Sequence, residues 1–243
     1  MQPGAWEPLG AALLDYLDGV EEAALVVYVD DGTTDRIPAA HFFRILEELP
    51  DVERAALDLC HGRVLDVGAG GGAHALELQD QGLDVTALDI SPLTGDVLRR
   101  RGVRNVEVCD AFLFAPQEPF DTLLLLMNGI GFVGTLDGLD RFLEHARSWL
   151  APGGQMLLDS SDLKKSRSVT EHRAMAAREQ AGRYRGQVGF VTEYNRRRSA
   201  PFDWLFVDAK TLRRHAEAAG WEMQVVFTDD ATGDYLARLW PAT

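Results

Sequence analysis

The sequence predicts an α/β fold built on a mostly parallel sheet. Three observations carry this. Val64–Gly72 reads as a short apolar strand running into glycines and then into a helix. From Gly62 to Leu158 strand-like and helix-like segments alternate, which demands right-handed crossovers and parallel pairing. Phe120–Met127 (Phe-Asp-Thr-Leu-Leu-Leu-Leu-Met) is too apolar to alternate, as expected of a central strand covered on both faces.

In chain order, Trp6–Leu17 has apolar residues at helical spacing. Ala24–Val29 and the weaker Thr33–Ile37 flank Asp31-Gly32, a hairpin signal. Ala39–Glu48 reads as a helix with Phe42, Ile45 and Leu46 on one stripe, and Pro50 breaks it. Asp51 is a candidate N-cap for Val52–Leu59. Residues 1–61 thus form an expected N-terminal cap, and 62–243 the main domain.

Strand Val64–Val67 leads to helix Ala73–Gln81, strand Leu83–Leu88 and helix Leu93–Arg101. Ser91 is the N-cap of that last helix and Pro92 its first residue. Strand Asn105–Val108 follows, then Phe120–Met127. Helix Asp137–Leu150 is expected to end at Pro152-Gly153-Gly154, ahead of strand Gln155–Leu158. Residues 162–208 interrupt the series with a charged, weakly helical stretch and a hairpin, Arg183–Tyr194 with Phe202–Val207, read as a lid or an oligomer contact. Asp162 is expected to cap the helical stretch. Helix Ala209–Ala219 and the hairpin Trp221–Phe227 with Tyr235–Leu239 close the chain.

The 243 residues carry a formal charge of −14, with 46% hydrophobic and 26% charged residues. That balance weighs against a nucleic-acid partner, which needs a basic face. Arg99-Arg100-Arg101 and Arg196-Arg197-Arg198 are the dense basic runs, read as a helix end and a loop tip. Two cysteines, Cys60 and Cys109, are too few for a disulfide framework and lack metal spacing. No His/Asp/Glu cluster has convincing metal spacing either. The first residues show no leader pattern, and no apolar run nears the ~20 residues of a membrane span, so a cytoplasmic protein without a membrane partner is expected.

Three strand ends carry carboxylates. Asp66 sits inside the apolar Val64–Val67, where an unpaired charge is costly, so it should face a donor or cation. Asp89 follows about twenty residues on, the distance at which a carboxylate reaches ribose hydroxyls in a nucleotide-binding βαβ unit. Asp110 follows Val106–Val108. The glycines let a ligand touch bare backbone.

These residues resemble motif I of the class I S-adenosylmethionine-dependent methyltransferases, D/E-x-G-x-G-x-G, present as Asp66-Val67-Gly68-Ala69-Gly70-Gly71-Gly72. The resemblance implies a seven-stranded, Rossmann-like methyltransferase sheet whose last strand inserts antiparallel, and S-adenosylmethionine as cofactor. It implies that Asp66, Gly68, Ala69, Gly70 and Gly72 contact the cofactor. Asp89 with Ile90 would serve the ribose, and Asp110-Ala111 the adenine amino group. Asn128 falls where the family places the transferring methyl, so it is a candidate for cofactor and substrate alike. Base-amino methyltransferases commonly show Asn/Asp-Pro-Pro-aromatic there; Asn128-Gly129-Ile130-Gly131 lacks it, leaving a small molecule as the expected acceptor.

Arg44 could pair with the cofactor carboxylate through its planar fork. His41, expected on the same helix face, is a candidate substrate contact or base, with a structural role as its alternative. Asp159 could line the same crevice. Tyr184 and Tyr194, with Trp204, could form an aromatic pocket or simply pack. No catalytic base is assignable, and a monomer or homodimer is expected. Two other functions stay open at this point: a non-catalytic S-adenosylmethionine-binding sensor or partner subunit, and an NAD-dependent oxidoreductase, since Gly68-Ala-Gly-Gly-Gly-Ala73 also fits G-x-G-x-x-G/A.

Overall fold

The computed structural model describes residues 3–166 and 168–242. Met1 and Gln2, part of the stretch inspected for a leader, lie outside the described residues. In chain order the elements are α1 (Glu7–Leu17), β1 (Ala24–Val29), β2 (Thr34–Pro38), α2 (Asp51–Leu59), β3 (Arg63–Val67), α3 (Ala73–Asp80), β4 (Asp84–Asp89), α4 (Pro92–Arg101), β5 (Asn105–Val108), β6 (Phe120–Leu125), α5 (Leu136–Ala146), β7 (Leu150–Ser161), α6 (Val169–Gln180), β8 (Gln187–Tyr194), β9 (Arg197–Arg198), β10 (Phe202–Leu205), α7 (Ala209–Ala218), β11 (Trp221–Thr228) and β12 (Asp234–Pro241).

The main sheet has seven strands in the order β11-β12-β7-β6-β3-β4-β5. β3–β4, β4–β5 and β6–β7 pair parallel, while β12 runs antiparallel to both β7 and β11. Leu123, Leu124 and Leu125 of β6 are all fully buried, which is why this strand carries no polar alternation. A second, antiparallel sheet runs β10-β8-β1-β2, with β9 on β8. Val26 pairs with Glu193 and Val29 with Phe190, so strands from the N-terminal stretch and from the insertion share one sheet.

The chain divides into two compact units. The first holds the residues through Leu49, His61–Ala115 and Phe190–Phe202. Its core gathers Leu9, Leu13, Leu25, Val27 and Val97 from α1, β1 and α4. α1 lies close on α4: a Cβ added at Gly10 would stand 2.7 Å from Ser91 Oγ. The buried Thr192 hydroxyl donates to the Ala5 carbonyl at 2.9 Å, tying β8 to the first residues. The second unit holds Pro50–Cys60, Pro116–Gly189 and the chain from Asp203. Phe142, Trp149 and Trp221 are buried in it, and the Trp221 indole donates to the Leu143 carbonyl at 3.0 Å.

Three expectations are corrected. Ala39–Glu48 is not a helix but two 3-10 turns, Ala39–Phe43 and Leu46–Glu48, separated by Arg44 and Ile45 with ψ of 148° and 170°. The reason is tertiary. Phe43 packs on Tyr16 with ring centroids 4.7 Å apart and under the Arg101 guanidinium at 4.6 Å, while Phe42 lies against the glycine loop. One continuous helix cannot serve both contacts. Helix α5 stops at Ala146, and β7 begins at Leu150 and runs through Pro152-Gly153-Gly154. Asp159 consequently sits within β7, not at its end.

The start of α7 shows how the insertion is anchored. Asp208 Oδ1 accepts the Thr211 N–H at 2.9 Å. Its Oδ2 accepts from the Tyr184 hydroxyl at 2.7 Å, the Thr211 hydroxyl at 2.8 Å and Arg185 at 3.2 Å. Burial pushes this carboxyl up, but the bonds from Tyr184, Thr211 and Arg185 outweigh it and hold it at about 2. A folded value below the unfolded one stabilises above pH ~4, and the gain is lost as pH falls through about 2. Asp208→Asn keeps a capping side chain but removes the charge. It is expected to cost about 2 kcal/mol near neutrality. Urea unfolding across pH should show the gap to the parent closing below pH ~4.

Candidate functional site

β3 brings Asp66 and Val67 to the glycine loop. Gly68, Gly70 and Gly72 have φ of 79°, 53° and 82°, a region that L side chains rarely adopt. The loop is held from several sides. The N–H groups of Gly68 and Ala69 donate to the Leu88 carbonyl at 2.8 and 3.2 Å. Gly70 N–H donates to Asp89 Oδ2 at 3.2 Å. Arg101 donates to the Gly71 carbonyl. A Cβ on Gly71 would stand 2.1 Å from the Phe42 carbonyl oxygen, and one on Gly72 2.7 Å from Leu98 Cδ2. By contrast, a Cβ on Gly68 meets nothing within 4 Å. The loop is packed behind Gly71 and Gly72 and bare at Gly68.

Asp66 is 2% exposed, and its Oδ2 is buried without a hydrogen-bond partner. Burial pushes its carboxyl up to about 6, against the opposing pull of His74 and the Ala75 backbone. An orphaned carboxylate oxygen of this kind is costly unless a ligand donor completes it. Asp89 closes β4. Its Oδ1 accepts the Ser91 N–H at 2.9 Å, and Ser91 in turn caps α4 by accepting the Thr94 N–H. Burial also lifts Asp89 to about 6; the Ser91 and Gly70 N–H groups oppose this, and the Asp66 charge adds to it. Each Asp89 oxygen keeps a lone pair for a further donor. Ile90 is half-buried beside it. Asp110 follows β5 and takes the Phe112 N–H on Oδ1 at 3.0 Å; Ala111 lies between them, half-buried.

Arg44 turns back on its own loop, its Nε donating to the His41 carbonyl at 2.8 Å. The exposed His41 ring meets Phe42 edge-on at 5.8 Å. Both belong to the first unit, like the three strand-end carboxylates. Phe42 and Arg101 escape sequence reasoning as loop supports. Arg101 could have been suspected from its place at the end of α4, but the Phe42 carbonyl has no sequence signal.

The second unit contains a polar cluster of its own. Asn128 takes a left-handed conformation, φ 54°, and is buried. Its N–H donates to Asp159 Oδ1 at 2.7 Å, and its amide donates to the Leu205 carbonyl at 3.1 Å. Ser160 Oγ donates to Asn128 Oδ1 at 2.6 Å and accepts the Val207 N–H at 3.1 Å. Trp204 lies over Gly131, where a Cβ would stand 2.2 Å from the indole nitrogen. Asn128 and Asp159 are therefore brought together, through internal bonds.

Tyr184 belongs to the second unit and Tyr194 to the first. The Tyr184 hydroxyl is spent on Asp208, and the Tyr194 hydroxyl donates to Asp15 at 2.7 Å. Burial pushes both phenols up to about 12, and the neighbouring carboxylates reinforce it.

The orphaned Asp66 oxygen and the open face of Gly68 fit a cofactor that presents a cation or hydroxyl donor to a bare backbone turn. A family model described as a methyltransferase domain matches residues 39–226. A solved S-adenosylmethionine-dependent methyltransferase from Bacteroides fragilis, in complex with S-adenosyl-L-homocysteine, is 34% identical, covers 100% of this chain and 98% of its own, and superposes with a TM-score of 0.86. The chain belongs to the S-adenosylmethionine-dependent methyltransferases. The CcbJ methyltransferase of Streptomyces caelestis shares the fold at 17% identity, with coverage of 81% and 94% and a TM-score of 0.61. Among curated proteins, the ribosomal RNA large subunit methyltransferase M of Azoarcus sp. (strain BH72) is 34% identical over 80 residues, 33% of this chain; the match spans 22% of that protein.

Gly71→Ala tests the loop packing. The added methyl collides with backbone, which cannot rotate away, so a loss of roughly 1–3 kcal/mol is expected. The midpoint of urea unfolding checks it, and a shift within error would show that the 39–43 turn is loosely seated.

Proposed function

We propose that this chain binds S-adenosylmethionine on its first unit and transfers the methyl group to a small-molecule acceptor. The single observation that supports the cofactor site best is the buried Asp66 Oδ2 without a partner, beside Gly68, the glycine of the loop whose Cβ direction is open. When bound, the cofactor supplies an activated methyl on a sulfonium leaving group. The protein's part is then mostly positioning.

In this reading Gly68, Ala69, Gly70 and Gly72 offer bare backbone, and Asp66 balances the ammonium end. Asp89 accepts the ribose hydroxyls, with Ile90 against the sugar, while it still holds Gly70 N–H. Asp110 and Ala111 take the adenine edge. Arg44 leaves the His41 carbonyl to meet the carboxylate, and His41 is the acceptor contact. Asn128 acts with Asp159 as a positioning pair, because its amide is already spent on Leu205 and Ser160.

A small acceptor is supported by the charge of −14 and by the absence of Asn-Pro-Pro-aromatic after β6. The ribosomal RNA methyltransferase match spans too little of either protein to carry its acceptor over.

The test is the pH dependence of S-adenosylhomocysteine binding. Asp66 and Asp89 are raised to about 6 in the free protein, so they are neutral acids below that pH. Their protonated forms add most stability below the unfolded value near 4, and that contribution is lost as pH rises through about 6. A ligand cation reverses this by favouring the carboxylate. Affinity should therefore rise several-fold between about pH 5 and pH 7. Asp66→Asn should bind about tenfold or more weakly at pH 7 and lose much of the slope. A flat profile in the parent protein would overturn the assignment of Asp66 and Asp89.

A further inference from the structure

In the second unit, a cavity of about 440 Å³ is lined by Lys164, Arg185, Lys210 and Arg214, with Asp162 and Asp208. That volume falls in the ~300–1,000 Å³ range of small-molecule sites. We propose that it binds a small molecule through a phosphoryl group. The proposal does not depend on the cofactor reading, which rests on Asp66, the glycine loop, Asp89 and Asp110 of the first unit.

Asp162 and Lys164 come from the turn after β7, and Arg185 from the segment before β8. Lys210 and Arg214 stand one helical turn apart on α7, so they share a face. Four cations thus meet two carboxylates in a chain of net charge −14. Both carboxylates have other commitments. Asp208 receives Tyr184, Thr211 and Arg185, as described above, and Asp162 Oδ1 takes the Lys164 N–H at 3.1 Å. Arg185 is itself held, between Asp208 at 3.2 Å and Glu179 at 3.4 Å.

The other three cations have no ion-pair partner among the described residues. Among the described residues, the ammonium groups of Lys164 and Lys210 have no hydrogen-bond or ion-pair partner. Arg214 contacts the His215 ring at 3.3 Å and no carboxylate. Lys165, one residue from Lys164, shows the alternative, for it pairs with Asp230 at 2.6 Å. Like charges converging on one concavity are unfavourable until an anion joins them.

Four cations against two carboxylates leave a surplus of two positive charges, which suits a dianion better than a monoanion. A guanidinium fork with two ammonium groups matches tetrahedral oxygens better than the two coplanar oxygens of a carboxylate. Inorganic phosphate would fill only part of 440 Å³, so the phosphoryl group is expected to carry an organic body.

Calorimetric titration of the full chain with inorganic phosphate and with ribose 5-phosphate, at fixed ionic strength, tests this. Saturable binding is expected for both, tighter for the ester. Lys210→Ala and Arg214→Ala should each weaken it about tenfold or more. Arg197→Ala, on the exposed β9, should leave it unchanged. These side chains are exposed, and melting temperature confirms that each variant folds. Absence of saturable binding, or losses from Arg197→Ala equal to those from Arg214→Ala, would overturn the site. Equal affinity for phosphate and ester would overturn the organic ligand.

Discussion

Everything in the candidate cofactor site depends on one constraint: the Gly68–Gly72 backbone must stay bare on one side and locked on the other. The Leu88 carbonyl, Asp89, Arg101 and Phe42 do the locking. They come from β4, its strand end, α4 and the first 3-10 turn. The N-terminal stretch is therefore part of the loop's support, because Phe42 occupies the space a side chain at Gly71 would need. Asp89 links both jobs. It holds Gly70 and Ser91 through its two oxygens and still has acceptor capacity in hand.

The two raised carboxyls follow from the same arrangement. Asp66 and Asp89 sit at neighbouring strand ends, desolvated, Asp66 with one oxygen unpartnered and Asp89 held by backbone N–H groups alone. Such groups favour folding least when ionised, so their burial works against the stability of the free protein near neutrality. The Asn128 cluster is the opposite case. Its amide, backbone and neighbouring serine are satisfied internally, and it stiffens the turn after β6.

Much of this was legible in the sequence. The βα series reads directly, since apolar runs and helical periods alternate with capping residues, and Ser91-Pro92 marks the start of α4 to the residue. The glycines and the three strand-end aspartates stand out by type and spacing, and family membership as a methyltransferase disposes of the dinucleotide reading. What stayed hidden is tertiary. The Ala39–Glu48 period is helical, yet Phe42 and Phe43 are drawn to different neighbours and split it. Nothing local says that Val26 pairs with Glu193. Tyr184 and Tyr194 look alike in sequence and are spent on different carboxylates in different units. The lysines and arginines of the second-unit cavity are scattered through a strongly acidic chain, and only folding brings them to one place.

The central claim is that the bare side of the glycine loop is an S-adenosylmethionine site. Side-by-side calorimetry with S-adenosylhomocysteine and NAD tests it most directly. Saturable one-to-one binding of S-adenosylhomocysteine is expected, lost together with the loop in Gly71→Ala, and no binding of NAD. Binding of NAD in preference, or S-adenosylhomocysteine affinity untouched in that variant, would contradict it.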